Sequence, residues 1–168
     1  MFLGLDPGSS EINAAQVTND YTARAYLSSN QLNIADTTLT KVQLDSVVTD
    51  TDPNDDFDTS NNYYVAPVAG KYRVSGAVAW MNVVSGGRYD VRIRVDTGGG
   101  FADALGGEVK WTSANRSVLG LVIPSGILVL DAGDKVALYC YHSSGVSTED
   151  IYGAQAWTWM NIEFVSQV

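Results

Sequence analysis

The sequence predicts an all-β domain, an antiparallel β-sandwich of the jelly-roll type. Three observations predict it: apolar and polar residues alternate with period two along much of the chain, short strand-like runs are separated by turns rich in Gly, Asn and Asp, and no convincing amphipathic helix is present. The nearest helical stretch, 14–25, is interrupted by Thr18, Asn19 and Asp20. Eight or more short strands in one domain of 168 residues lead to a jelly roll as the topology.

The elements follow in order. Residues 1–20 lack strand alternation and are rich in Asn, Ser and Asp; they read as an extended docking arm, with Phe2, Leu3 and Leu5 as its candidate partner-binding side chains. Residues 21–168 then form the jelly-roll domain. Strands are expected at 21–28 and 40–47, and at 72–80, where Tyr72, Val74, Val78 and Trp80 alternate with Arg73, Ser75, Ala77 and Ala79. The cleanest alternation is 88–95, with Tyr89, Val91, Ile93 and Val95 on one side and Arg88, Asp90, Arg92 and Arg94 on the other. Further strands are expected at 116–124, 126–130, 135–142 and 157–165. Turn signals lie at Pro53-Asn54-Asp55, Ser85-Gly86-Gly87, Gly98-Gly99-Gly100, Gly106-Gly107, Ala132-Gly133-Asp134 and Ser144-Gly145.

Composition bounds the function. With 45% hydrophobic and 17% charged residues the chain lies in the globular range. A net charge of -9 disfavours nucleic acid as a partner. Cys140 is the single cysteine, so no intrachain disulfide exists. The N-terminus has no basic region followed by an apolar core, and no window approaches the ~18 apolar residues of a membrane span. Synthesis in a cytoplasm and no membrane insertion are expected.

Two blocks carry a resemblance. Phe57, followed by Tyr64-x-Ala66-Pro67-Val68-Ala69-Gly70-x-Tyr72-x-Val74-Ser75, and downstream Leu128-x-Leu130-x-x-Gly133-Asp134-x-Val136-x-Leu138, resemble the complement-subcomponent-q globular domain of the tumour necrosis factor-like jelly-roll superfamily. In the first block Pro67 presets φ and Gly70 is expected to make a tight turn; in the second, residues 131–134 are expected to make a hairpin turn. The stretches Ala23-Arg24-Ala25-Tyr26, Asn30-Gln31 and Thr40-Lys41-Val42-Gln43-Leu44-Asp45 look like versions in bacteriophage structural proteins. Val74 stands where the animal proteins usually have Phe, and the last strand lacks their final Phe-x-Gly-x-Leu, so their ligand specificity does not carry over. The resemblance implies a homotrimer with aromatic and aliphatic residues facing a threefold axis, and Tyr72, Val74, Trp80, Tyr139, Tyr141, Trp157 and Trp159 are candidates for core or trimer interface.

The expectation that follows is a capsid-decorating virion protein at the capsid surface, bound to a major capsid or other virion protein. The alternative is the receptor-binding tip of a head or tail fibre, recognising a host glycan or protein through loops 85–87, 97–107 and 143–150. Arg88, Arg92 and Arg94 are candidates for partner binding, or for pairing with carboxylates such as Asp90. Trp111, Trp157, Trp159, Tyr139 and Tyr141 suit a sugar platform or apolar packing.

Catalytic patterns are weak. Asp96-Thr97-Gly98 matches the aspartic-protease triplet but equally a Gly-rich hairpin. Asp52, Asp55, Asp56 and Asp58 offer oxygen ligands for calcium, without EF-hand spacing, and otherwise form a solvated loop. No other cofactor is indicated. His142 is the single histidine, next to Ser143 and Ser144, with no nucleophile elbow. Cys140 reads as a buried small hydrophobe. No enzyme is expected.

Overall fold

In the computed structural model, which describes residues 21–168, the chain runs β1 (Thr22–Tyr26), β2 (Gln31–Ala35), β3 (Thr40–Lys41), β4 (Ser46–Val47), β5 (Phe57–Asp58), β6 (Tyr63–Val65), β7 (Gly70–Val83), β8 (Arg88–Asp96), β9 (Ala102–Lys110), β10 (Arg116–Leu130), β11 (Lys135–Ser143), β12 (Thr148–Ile151) and β13 (Trp159–Ser166). No helix occurs among these residues. The expected arm, with Phe2, Leu3 and Leu5, lies outside the described residues.

The strands form two antiparallel sheets with jelly-roll connectivity. One has seven strands in the order β2-β12-β7-β13-β1-β4, with β10 on the far side of β7; the other has six in the order β5-β6-β11-β8-β9, with β3 also on β11. The inward rows of β7 (Tyr72, Val74, Val78, Trp80), β8 (Tyr89, Val91, Ile93) and β11 (Val136, Leu138, Cys140) meet in one buried cluster. Strict alternation produces this directly, because successive Cβ atoms point to opposite faces. Tyr72, Val74 and Trp80 are therefore core residues, each fully buried.

The two sequence blocks touch. Ala66 N donates to Asp134 O and Gly133 N donates to Ala66 O, both at 2.8 Å, so the turn before β7 is fastened to the turn before β11. Tyr72 Oη donates to Val68 O at 2.7 Å and holds the first turn closed. Gly133 has φ 94°, which favours glycine. Residues 131–134 do form a turn, but β10 and β11 belong to different sheets, so it passes the chain between layers and is no hairpin. Gly70 is the first residue of β7 and no turn residue: a Cβ there would enter the Phe164 ring and lie 2.7 Å from Ser166 O.

Other expectations are corrected by chain crossings. The run 40–47 splits, β3 pairing with β11 and β4 with β1, because Val42 and Leu44 turn into the core between the sheets. Residues 116–130 are one strand whose register shifts between Ile123 and Gly126; Pro124 sits in that irregularity, where no ladder donor is needed. Gly106 and Gly107 lie within β9, opposite Arg92 and Val91. The last strand begins at Trp159, since Trp157 belongs to a turn closed by Trp157 N donating to Ala154 O.

Gly153 marks the closest backbone approach: a Cβ there would penetrate the Ser29 backbone, while Asn30 Oδ1 accepts from Gly153 N at 2.9 Å. Gly153→Ala is expected to destabilise by about 1–3 kcal/mol through forced backbone displacement. Gly99→Ala, whose Cβ meets nothing, should leave the melting temperature unchanged; thermal unfolding of the two variants checks the pair.

Candidate functional site on the two outer faces

The two sheets turn different chemistry outward. On the seven-stranded sheet, Tyr26, Trp159, Ala77 and Val122 are successive cross-strand partners and form one apolar row across β1, β13, β7 and β10. Above it Ala79 faces Gly120 and Met81 faces Val118. Below it Ser75 faces Asn161, and Arg73 pairs with Glu163 at 3.0 Å. On β10, Val122, Ile127 and Val129 are 61%, 52% and 64% exposed. Among the described residues β10 pairs with β7 alone, so an edge strand presents both aliphatic side chains and an unpaired backbone edge.

The six-stranded sheet is ionic outside. Asp90, buried between strands, accepts from Arg88 Nε and Nη2 at 3.1 and 2.9 Å and from Arg92 Nη2 at 2.8 Å. Arg88 Nη2 also reaches Glu108 at 2.7 Å. Asp103 accepts from Arg92 Nη1 at 2.6 Å and Arg94 Nε at 2.8 Å. The Asp90 hydrogen bonds raise the Arg88 and Arg92 pKa values further. Tyr141 lies under Arg88 and Arg92, and Tyr139 under Arg94 at 5.0 Å. An open cleft of about 400 Å³ lies over Gly106 and Gly107, walled by Asp90, Arg92, Asp103 and Glu108. The three arginines thus meet carboxylates of their own chain.

At one end of the sandwich a buried polar network ties the sheets together. His142 Nε2 donates to Ile34 O at 2.8 Å; Nδ1 faces Ser144 Oγ at 2.9 Å and Asp36 Oδ1 at 3.2 Å. A catalytic triad needs serine and aspartate on opposite nitrogens. Here both address Nδ1, the other nitrogen is held by a carbonyl, and the ring is fully buried. Beside it Tyr89 Oη donates to Glu149 Oε1 at 2.9 Å and accepts from Val84 N. Burial pushes the Glu149 carboxyl above its ordinary range, opposed by its hydrogen bonds with Tyr89 and Ser144, and burial pushes the Tyr89 phenol up to about 12.

The remaining candidates have local duties. Asp96 accepts from Gly98 N and Gly100 N, each at 2.8 Å, closing the β8–β9 hairpin, and these amides lower its pKa. Asp52 accepts from Asp56 N and Phe57 N, and Asp58 from Ser60 N and Asn61 N. Burial, then the Asp52 charge, raises Asp56. Among the described residues no three His, Cys, Asp or Glu side chains are grouped to hold a metal ion, Asp52, Asp55, Asp56 and Asp58 included. Burial pushes the Cys140 thiol up, away from the reactive thiolate.

Of the aromatic candidates, Trp159 is on the apolar face beneath Arg24, 4.7 Å away. Trp157 is half exposed and meets Tyr152 edge-on. Tyr139 and Tyr141 are on the ionic face. Trp111 bonds through Nε1 to Ala114 O. Sequence reasoning missed Ile127 and Val129 as exposed residues, since alternation does not say which sheet face is covered, and it missed Lys41, Tyr63 and Phe101, which come from three separated segments.

No family model matches the sequence, and no curated protein matches it. Solved structures share the fold. Eiger TNF from S. frugiperda superposes with a TM-score of 0.67 at 9% identity, over 88% of this chain and 93% of that one. The globular domain of zebrafish complement 1qA superposes with a TM-score of 0.57 at 17% identity, over 88% and 98%. The chain has the jelly-roll fold of these domains.

Arg92→Gln is expected to cost about 1–3 kcal/mol, because it leaves buried Asp90 short of a cation, whereas Arg73→Gln, at an exposed pair, should cost under about 1 kcal/mol; urea unfolding measures both. For Glu149, a raised folded-state pKa means the native state binds more protons than the unfolded one. Its stabilisation is complete below the ordinary carboxyl value of 4.5 and is lost as pH rises through the raised value. Glu149→Gln, which keeps an acceptor for Tyr89, should flatten the decline in stability above pH 4.5; curves parallel to the parent would contradict this assignment.

Proposed function

We propose that this chain is a bacteriophage virion structural protein, a homotrimer that decorates the capsid and stabilises it, docking through residues 1–20. The observation that carries the self-assembly is the uncovered aliphatic edge of β10, with Val122, Ile127 and Val129 more than half exposed, continuous with the Tyr26–Trp159–Ala77–Val122 row. Gly120, exposed on β10 with no side chain, lets a second copy approach the backbone closely beside Val122. Burying each exposed aliphatic side chain contributes about 1 kcal/mol, and a cyclic trimer repeats the contact around its axis. The phage setting rests on the sequence resemblance of 23–26, 30–31 and 40–45. Stabilisation of a capsid would be mechanical, by simultaneous contact of one trimer with neighbouring subunits.

Light scattering on the full chain should give a trimer mass, and Val122→Arg with Ile127→Arg should give folded monomers by circular dichroism. A monomeric parent chain would remove the basis of this reading. Virions stripped of the protein should lose heat resistance and regain it when the protein is added back; equal resistance without it would refute the decorating role.

A further inference from the structure

The ionic face of the six-stranded sheet has two halves. Over β8 and β9 the arginines are neutralised by Asp90, Asp103 and Glu108. Over β3, β6 and the start of β11 the cations are lysines, and among the described residues no carboxylate lies within ion-pair distance of Lys41 or Lys135. Both ammoniums converge on one ring: Lys41 Nζ is 5.4 Å and Lys135 Nζ 5.2 Å from the Tyr63 centroid. Lys41 Nζ also lies 4.9 Å over Phe101, and donates to Asn61 O at 3.2 Å. Phe101 in turn packs against Tyr139, 5.6 Å between centroids.

This arrangement lacks something. Burial first, then repulsion from Lys135, lowers the Lys41 pKa, opposed by the charge of Asp58, the cross-strand neighbour of Tyr63. Asp96, the cross-strand neighbour of Lys135, forms no ion pair with it and instead accepts from the Gly98 and Gly100 amides. The Gly98-Gly99-Gly100 turn leading into Phe101 leaves open space, since a Cβ at any of the three meets nothing within 4 Å.

We propose that Lys41, Lys135, Tyr63 and Phe101 form a binding site for an anionic saccharide, a sugar ring bearing carboxylate or sulfate. The anion takes the place of the missing carboxylate between two ammoniums, and the sugar ring lies against the aromatic side chains in the room beside the glycine turn. A bare inorganic anion would use only the lysines; the flanking rings select a ligand that also has apolar C–H faces. A polyanionic nucleic acid is repelled by the net charge of -9. The site faces away from the apolar sheet and goes beyond the decorating role.

The test titrates the full chain with 3′-sialyllactose, a heparin-derived disaccharide and lactose, followed by calorimetry at low ionic strength. At least one charged sugar should bind and lactose should not; which one binds separates carboxylate from sulfate recognition. Lys41→Gln and Lys135→Gln should each raise Kd by about 3- to 10-fold and added salt should weaken binding. Phe101→Leu should weaken it without changing the salt dependence. Lys71→Gln, on the other sheet, should have no effect. Binding of lactose as tight as that of the charged sugars, no binding of either charged sugar, or unchanged Kd in both site-lysine variants would overturn the proposal, provided thermal unfolding shows the variants folded.

Discussion

Strand β7 must bury one row of side chains while supplying hydrogen bonds along both of its edges, and the rest of the molecule depends on that constraint. Its inward row, Tyr72, Val74, Val78 and Trp80, is fully buried, its far edge is paired along its length by β10, and its near edge is divided between β13 and β12. A strand loaded in this way can sit only at the middle of a sheet with a second sheet against it. Gly70 and Gly76 complete the row, because Phe164 and Leu138 occupy the volume a side chain would need.

The same constraint separates the two outer faces. The seven-stranded sheet turns outward the exposed aliphatic residues of β10 beside the Arg73–Glu163 pair, and the proposed trimer would use that aliphatic edge. The six-stranded sheet carries its charge as a ladder in which most guanidinium groups meet carboxylates of neighbouring strands, a surface suited to water and polar ligands. The lysine corner departs from that balance, and this departure distinguishes it from the neutralised ladder beside it. A trimer formed on one sheet would leave the other sheet outward-facing, so assembly and ligand capture can coexist.

The end of the sandwich shows how residues that look catalytic can be structural. His142, Ser144 and Asp36 satisfy each other where β2 and β11 meet, and Tyr89 with Glu149 does so between β8 and β12. Polar groups sealed between sheets need partners more than they need reactivity, and the geometry of the imidazole follows from that need. Asp96 follows the same logic at the surface: its carboxylate spends its hydrogen bonds on the glycine amides of the turn behind it.

By itself the sequence determined the fold class, the core rows of β7 and β8, and the presence of a turn at 131–134, because alternation and turn chemistry are local properties of the chain. Trp80 and Tyr72 were legible as inward residues for that reason. It left open the contact between Ala66 and Gly133–Asp134, the split of 40–47 across two sheets, and strands β2, β9 and β12, whose polar or glycine-containing sequences become strands only when a neighbour offers an edge. Only the tertiary structure decided which outward rows stay uncovered and which cations meet a carboxylate. Those facts depend on residues far apart in the chain being brought within a few ångströms, as Lys41, Tyr63, Phe101 and Lys135 are, and no local pattern encodes that distance.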